Sequence, residues 1–325
     1  MADSTSKDEQ QSGSKSTVYA ALAANLGIAV TKFIAAAISG SSAMLAEGIH
    51  SIVDTANQGL LLLGMARAKR PADEKHPFGY GREIYFWAFV VAVLIFALGS
   101  GLSIYEGIRA ILHGESEHGS VPWIPLVVLS VSLCFEGYSL SVAIREFRQT
   151  RKGRGLWRDL TDMKDPSIFV VLAEDSAACA GLLVAAAGVL LAWLTGNPLW
   201  DAGASIVIGV ILGIVAFLLA IEVKGLLVGE ATDPDLVERV ETKVASLPEI
   251  DAVNDIRTLH LGPHEILLTM SLDVVDDVPS QRIEALVTEI ETNIQERFPD
   301  VERIFIEVQS RKDHMSLETE AGTTS

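Results

Sequence analysis

Cysteine and basic side chains are both scarce in this sequence. The two cysteines, Cys134 and Cys179, lie in apolar stretches, so neither a disulfide framework nor a Cys-x-x-Cys metal site can form. Lys and Arg number 25 against 42 Asp and Glu, which gives a formal net charge of -17. Because a nucleic-acid-binding face is basic, this charge argues against a nucleic-acid partner. The first residues also lack the apolar core and the small-residue cleavage site of a signal peptide.

Apolar residues are plentiful and unevenly distributed. Hydrophobic side chains make up 49% of the 325 residues, and they concentrate in the first two thirds, whereas the last third is polar and acidic. This asymmetry predicts a membrane domain followed by a soluble one. We expect a disordered N-terminus at 1–16, a membrane domain at 17–225, a soluble domain at 232–310 and a disordered tail at 311–325.

Six stretches have the roughly 20 apolar residues that a membrane-spanning helix needs. They are Val18–Ile38, Met44–Met65, Ile84–Leu112, Ile124–Ile144, Ser167–Leu194 and Leu199–Val223. Lys and Arg occur in the connections after the second and fourth stretches, and the other three connections contain none. The positive-inside rule therefore predicts a six-span helical bundle with both termini in the cytoplasm. A bacterial inner membrane is the default location for such a multi-pass protein, and an organelle membrane is the alternative.

The second stretch carries a stripe of polar residues at helical spacing: Glu47, His50, Asp54, Asn57 and Gln58. A spacing of four places His50 and Asp54 on one face of a helix. An ionisable group in hydrocarbon costs about 2.5–3.5 kcal/mol, so two on one face indicate that the face is used. A neutral imidazole beside a carboxylate suits a divalent metal such as zinc. The alternative is a structural hydrogen-bonded pair.

The last third alternates between helical and strand patterns. Asp233 is placed to cap a helix that has Pro234 at its first position. The predicted elements are helix Pro234–Leu247, strands Ala252–His260 and Glu265–Val274, helix Ser280–Phe298 and strand Arg303–Val308. The order α-β-β-α-β predicts a small ferredoxin-like α+β domain.

Taken together, these features resemble the cation diffusion facilitator family. The resemblance rests on the six spans, the cytoplasmic termini, the α+β tail, the second-span pattern Ser41-Ser42-x4-Glu47-x2-His50-Ser51-x2-Asp54-x2-Asn57-Gln58 and the following His76-Pro77-Phe78-Gly79. It covers about residues 17–310. The fifth-span sequence Leu172-Ala173-Glu174-Asp175 resembles a branch of the family with a Glu-Asp pair there.

The resemblance implies a homodimeric, proton-coupled antiporter that exports divalent metal cations, most often Zn2+, from the cytosol. Such a protein is a transporter and not an enzyme, and it needs no resident cofactor. Its metal site lies between the second and fifth spans, and the ligands of the second span transfer to His50 and Asp54.

The fifth span matches the family pattern less well. Asp175 fills one of two ligand positions, and the other falls on Val171 or on Cys179. Glu174 is a substitute, but it lies about 100° round the helix from Asp175. The resemblance therefore implies His50, Asp54 and Asp175 as ligands, with Glu174 or Cys179 open as the fourth.

The other polar residues of the spans each have two possible roles. Asn57 either supports or gates the site, or makes a helix–helix hydrogen bond. Glu47 and Glu136 either line the ion path or cap buried polar groups, and Asp201 is either the N-cap or a loop anchor of the sixth span.

The resemblance implies two further candidate metal sites, because some relatives bind a regulatory zinc in the corresponding regions. In the loop after the second span, Asp73 and His76 fit such a site, but Tyr80 stands where another His is needed. In the tail, His260 and His264 flank a turn. The tail positions that bind zinc in some relatives are Asn254 and Met270 here, which argues against a zinc cluster.

Three competing functions keep the membrane topology. One is transport of Fe2+, Co2+ or Mn2+ by the same fold, although the imidazole argues against manganese, which prefers oxygen ligands. Another is an intramembrane metalloenzyme, which the absence of His-Glu-x-x-His and the single His within the spans disfavour. The third is a non-transporting membrane regulator.

Overall fold

The computed structural model describes residues 25–113, 123–150 and 166–322. The chain divides into two compact units. The helical unit is Met1–Ala66 with Tyr85–Lys224, and the tail unit is Arg67–Ile84 with Gly225–Ser325.

Long apolar helices build the helical unit. They are α1 (Asn25–Ser39), α2 (Ser42–Ala68), α3 (Glu83–Leu94), α4 (Gly101–His113), α5 (Trp123–Thr150), α6 (Pro166–Thr195) and α7 (Leu199–Val228). A π-helical segment, Ile95–Ser100, joins α3 to α4 in one continuous helix. Among the residues that the structure describes, this helix and α5, α6 and α7 are the four that are long and apolar enough to cross a membrane. The described part of α1 is too short to be counted among these helices. The helix α2 is long enough, but its polar stripe lowers its hydropathy and it is not counted either.

Asp201 does not cap its own helix, which was one of its two predicted roles, and instead anchors the segment that begins α2. It lies in the first turn of α7, fully buried, and accepts hydrogen bonds from Ser41 Oγ at 2.7 Å and from Ser42 Oγ and Ala43 N at 3.2 Å. The carboxylate thus caps the N-terminus of α2, where an anion is favoured by the exposed N–H groups. Asn197 Oδ1 accepts from Leu199 N and caps α7 instead.

Small residues bring the helices of this unit into close contact. A Cβ atom at Gly188 of α6 would lie 2.4 Å from the Cβ of Ala204 on α7. A Cβ atom at Gly209 of α7 would lie 2.9 Å from the carbonyl oxygen of Ser100, in the π-helical segment. A larger residue at either crossing would therefore push the helices apart, so glycine permits their close packing.

The tail unit contains the predicted α-β-β-α-β order. Its elements are α8 (Pro234–Ala245), β1 (Ile250–Gly262), β2 (Glu265–Val274), α9 (Ser280–Arg297) and β3 (Val301–Val308). The strands form one sheet in the order β1-β2-β3, in which β1 is antiparallel and β3 parallel to β2. Asp233 caps α8 as predicted, because its side chain accepts from Asp235 N. The core packs Leu268 and Leu272 of β2 against Val240 of α8 and Ile290 of α9.

The predicted disordered tail at 311–325 was wrong for much of its length, since α10 spans Arg311–Gly322. Ser310 and Asp313 form a reciprocal cap: Asp313 N donates to Ser310 Oγ at 3.2 Å, and that hydroxyl donates back to Asp313 Oδ2 at 2.8 Å. Arg311 N also donates to Asp273 Oδ2 on β2 at 2.8 Å. A cap of this kind starts a helix even where the sequence has no apolar stripe.

Candidate metal centre

The polar stripe of α2 lies inside the helical unit. Glu47 and Asn57 are fully buried, and His50 is 2% exposed. His50 Nε2 lies 3.3 Å from Asp54 Oδ2 one turn further along, and the Asp54 side chain is 15% exposed. The structure therefore brings together the two residues whose spacing placed them on one face.

Several buried atoms of this stripe have no hydrogen-bond partner in the described part of the chain. They are Glu47 Oε1, both ring nitrogens of His50, Asp54 Oδ1 and Asn57 Oδ1. The contact between His50 and Asp54 is close, but it does not have the alignment of a hydrogen bond. Each unsatisfied buried polar atom costs about 1–3 kcal/mol. Lone pairs concentrated in this way on one face are available to a cation.

The two carboxylates of α6 have different partners. Asn57 Nδ2 donates to Glu174 Oε1 at 2.7 Å, so Glu174 contacts the α2 stripe directly. Ser139 Oγ of α5 donates to Asp175 Oδ2 at 2.7 Å. Successive residues of a helix point about 100° apart, which explains why one carboxylate meets α2 and the other meets α5.

A small cavity connects these groups. Its volume is about 20 Å³, which is room for roughly one water-sized particle. The lining residues are Asn25, Ile28, Ser51, Asp54, Gln58, Glu136, Glu174 and Asp175. Glu136 of α5 was absent from the predicted ligands. Its only signal in the sequence was an ionisable group within an apolar span.

No ready-made metal cluster is present among residues 25–113, 123–150 and 166–322: no three His, Cys, Asp or Glu side chains converge closely enough to bind an ion. A tetrahedral zinc site needs three or four such groups. His50, Asp54, Glu174 and Asp175 therefore stay a predicted ligand set. Cys179 is half-buried and lies outside the group of cavity-lining residues.

The candidate loop site belongs to the tail unit, and its acid is already engaged. Asp73 Oδ1 accepts from the backbone N–H groups of Lys75 and His76, and Oδ2 accepts from Tyr80 Oη at 2.7 Å. The hydrogen bond from Tyr80 is the main reason why the pKa of Asp73 lies below its ordinary value of 3.8. His76 Nδ1 lies 3.4 Å from Asp73 Oδ1. These contacts fold the loop, and metal binding by Asp73 and His76 remains a prediction.

The same loop packs on the tail sheet. The rings of Phe78 and Phe305 meet edge to face with centroids 6.4 Å apart, and the Arg303 guanidinium lies 5.6 Å from the Phe78 centroid. The His76–Gly79 motif therefore has a structural role within the tail unit.

The two histidines of the tail turn are not brought together as a site. His260 is 3% exposed, whereas the side chain of His264 is 79% exposed and lies 3.6 Å from Asp300. Met270 is buried in the tail core, and Asn254 is engaged in hydrogen bonds. Within the described residues the tail contains no metal cluster.

Comparisons with known proteins match both parts of the chain. Residues 18–228 match the cation efflux transmembrane domain, and residues 232–310 match the cytoplasmic domain of cation efflux proteins. The chain is 37% identical over 245 residues to the proton-coupled zinc antiporter SLC30A9, mitochondrial, of Mus musculus. That match covers 74% of this chain and 43% of the relative.

Two further relatives extend the range. Metal tolerance protein C4 of Arabidopsis thaliana is 33% identical over 266 residues, covering 80% of this chain and 57% of the relative. The manganese efflux system protein MneP of Bacillus subtilis (strain 168) is 25% identical over 309 residues. That match covers 92% of this chain and 97% of the relative. The match to the mouse relative spans less than half of that protein's length. From the transmembrane and cytoplasmic domain matches together, we conclude that the chain is a multi-pass membrane protein and belongs to the cation efflux family of transporters, the cation diffusion facilitators.

Proposed function

We propose that this protein is an antiporter that exports a divalent metal cation, most suitably Zn2+, from the cytosol in exchange for protons. The observation that carries the proposal is the set of buried, unpaired lone pairs on His50 and Asp54, beside a cavity that Glu174 also lines. The printed names of the relatives, a proton-coupled zinc antiporter and a manganese efflux system protein, support the same class of activity.

The chemistry of antiport follows from competition for these lone pairs. Metal binding requires a neutral imidazole and ionised carboxylates, so a bound cation displaces protons. The imidazole of His50 binds a proton and a metal through the same nitrogen lone pair, so the proton and the metal compete for it. When the cation leaves, the neighbouring carboxylates repel one another, and this repulsion favours their protonation. The cation is the cargo of this cycle, and the protein needs neither a resident cofactor nor an enzymatic step.

The proposed ligands are His50 and Asp54 from α2 and Glu174 and Asp175 from α6. The contact from Asn57 to Glu174 favours Glu174 as the first carboxylate of α6, while Asp175 can join after release by Ser139. Cys179 is the alternative to Glu174 as the fourth ligand.

The proposed architecture has six spans with both termini in the cytoplasm. The descriptions of the matching domains support a transmembrane part and a cytoplasmic part. We assign residues 17–225 to the membrane domain and residues 232–310 to the cytoplasmic domain, which would join two copies of this chain in a homodimer. The proposed location is a bacterial inner membrane.

A flux assay tests the proposal. The full chain is reconstituted in liposomes that are acidic inside and contain a zinc-sensitive dye, and Zn2+ is added outside. We expect zinc to enter as protons leave. Asp54→Asn should reduce the flux to the background of empty liposomes, whereas Asp276→Asn, an exposed position in the tail, should not. If the unmodified protein transports none of Zn2+, Mn2+, Fe2+ and Co2+, the proposal is overturned and a non-transporting regulator is the remaining function.

A second candidate keeps the mechanism and changes the cargo to manganese. It is favoured by the match to MneP along 97% of that protein's length. Nitrogen ligation by His50 favours zinc instead. The same liposomes report the choice, since equal flux of Mn2+ and Zn2+ would remove the preference for zinc.

A further inference from the structure

A charged pair closes the cavity on one side. Lys32 of α1 is fully buried, and its ammonium donates to Glu47 Oε2 at 3.1 Å and to Ser51 Oγ at 2.7 Å. Ser51 is itself a lining residue of the cavity that Asp54 and Glu174 share. The ammonium therefore lies directly behind the cavity wall.

The pair also bridges three helices. Glu47 Oε2 receives Lys32 of α1, and the other carboxylate oxygen, Oε1, approaches α6 so closely that a Cβ atom at Gly181 would lie 2.6 Å from it. This second oxygen has no hydrogen-bond partner among the described residues. A buried ion pair is weak evidence for stability, because desolvation offsets much of the attraction. The presence of a buried lysine and a half-satisfied carboxylate next to the site therefore calls for a role in transport.

The position of the pair along α2 defines that role. Glu47 precedes His50 by three residues and Asp54 by seven, so it lies about 4.5 Å and about 10.5 Å nearer the N-terminal end of the helix, respectively. That end contacts Asp201 at the start of α7, and the far end of α7, at Val228, leads directly into the region that matches the cytoplasmic domain. The Lys32–Glu47 pair thus lies between the metal ligands and the extracytosolic end of the helices.

We propose that Lys32 and Glu47 form an ion-pair gate on the exit side of the metal site. The proposal rests on the function proposed above. In the closed state the ammonium of Lys32 is paired with the carboxylate of Glu47, and this pair blocks the exit. A departing divalent cation takes the free lone pair of Glu47 Oε1, displaces the ammonium and passes toward the extracytosolic side. Lys32 and Glu47 act here as gating residues, and the ligands remain those of the site itself.

Cys179 provides a reporter for the gate. It lies on α6 between Asp175 and Gly181, hence on the metal side of the Glu47 contact. In a Cys134→Ser background it is the remaining thiol of the chain. A membrane-impermeant, cationic thiosulfonate reagent is applied to the extracytosolic face of bacterial spheroplasts, and under this proposal it reaches Cys179 by passing the gate.

The expected result is slow labelling of Cys179 with the pair intact and about tenfold or faster labelling in Lys32→Met and in Glu47→Gln, since loss of the pair shifts the population toward the open state. The exchanged pair Lys32→Glu with Glu47→Lys should return the slow rate. Gly181→Ala, which forces the Glu47 carboxylate aside without changing a charge, should also accelerate labelling. Gly59→Ala, at a position of α2 with nothing within 4 Å of a new Cβ, should not.

A merely stabilising pair gives a different outcome. Loss of such a pair would lower the unfolding temperature of the protein. The folded variants Lys32→Met, Glu47→Gln and Gly181→Ala would then label Cys179 at the same rate as the parent protein, and this result would overturn the gate. If the charge variants do not give monodisperse protein, the comparison of Gly181→Ala with Gly59→Ala decides. Labelling is measured without zinc or a pH gradient. The labelling test can therefore contradict the gate while the flux assay supports transport, and the flux assay can contradict transport while the labelling test supports the gate.

Discussion

The two units of this chain bury different kinds of surface. The tail unit packs aliphatic side chains of its sheet against α8 and α9, and Leu268 at the centre is completely buried. The helical unit also buries aliphatic residues, but along α2 it buries Glu47, His50 and Asn57 as well. Atoms of all three lack hydrogen-bond partners among the described residues.

The difference indicates where stability and where function reside. An apolar core gains free energy from burial itself, and nothing has to enter it. A stripe of unsatisfied polar atoms destabilises the empty protein and is tolerated where a ligand repays the deficit. Changes in the tail core should therefore affect folding, and changes in the α2 stripe should affect cation binding.

The largest expected effect is on folding of the tail. Leu268→Ala should lower the stability of the tail unit by about 2–5 kcal/mol, through lost burial and the cavity it leaves. Hydrogen exchange of β1 and β2, followed by mass spectrometry on the full chain, measures the loss. Val275→Ala, at an exposed apolar position, is the control. Zinc binding by the helical unit should persist, and its disappearance together with β2 protection would break the separation of roles.

The next effect concerns the choice between the acids of α6. Glu174→Gln should weaken zinc binding about tenfold or more, an effect at least as large as that of supporting groups in metal sites, because Glu174 contacts the α2 stripe. Asp175→Asn should weaken it less, because Ser139 already engages that side chain. Calorimetric titration of both variants measures the difference. The reverse order would make Asp175 the principal ligand of α6.

A smaller effect is expected at α10. Ser310→Ala removes the reciprocal cap with Asp313 and should cost about 1 kcal/mol of local helix stability. Faster hydrogen exchange confined to Arg311–Gly322 checks it. Ser316→Ala, within the same helix, serves as the control, and equal exchange in both variants would contradict the capping role.

The smallest effect depends on pH. The hydrogen bond from Arg282 holds the pKa of Glu249 below its ordinary value of 4.5. A carboxylate with a lowered folded-state pKa contributes stability above its unfolded-state pKa and loses it as the pH falls through the folded-state value. Arg282→Gln should therefore speed exchange around Glu249 near neutral pH and have no effect in strong acid. An equal effect at both pH values would contradict this origin.

Much of the fold is readable from the sequence, for physical reasons. The long apolar runs predicted the helices of the helical unit, and Asp233 with Pro234 predicted the start of α8. Local signals of this kind act within a few residues. The weakly apolar α10 had only the Ser310 cap as its signal, and the expectation of disorder missed it.

The site was less predictable, because its partners come from distant segments. The spacing of His50 and Asp54 indicated one face, and the structure brings them within 3.3 Å. No local rule could pair Lys32 with Glu47 or bring Glu136 to the cavity, because each of these contacts depends on how separate helices pack. The ligand set itself remains a prediction.

The most direct test of the central claim is a calorimetric zinc titration of the full chain in detergent, comparing variants of the α2 stripe with one in the loop. We expect His50→Ala and Asp54→Asn each to lose the zinc-binding event of the helical unit, and Asp73→Asn to retain it. Retention of that event in both stripe variants, or its loss in Asp73→Asn alone, would contradict the claim that the unpaired atoms of α2 bind the cation.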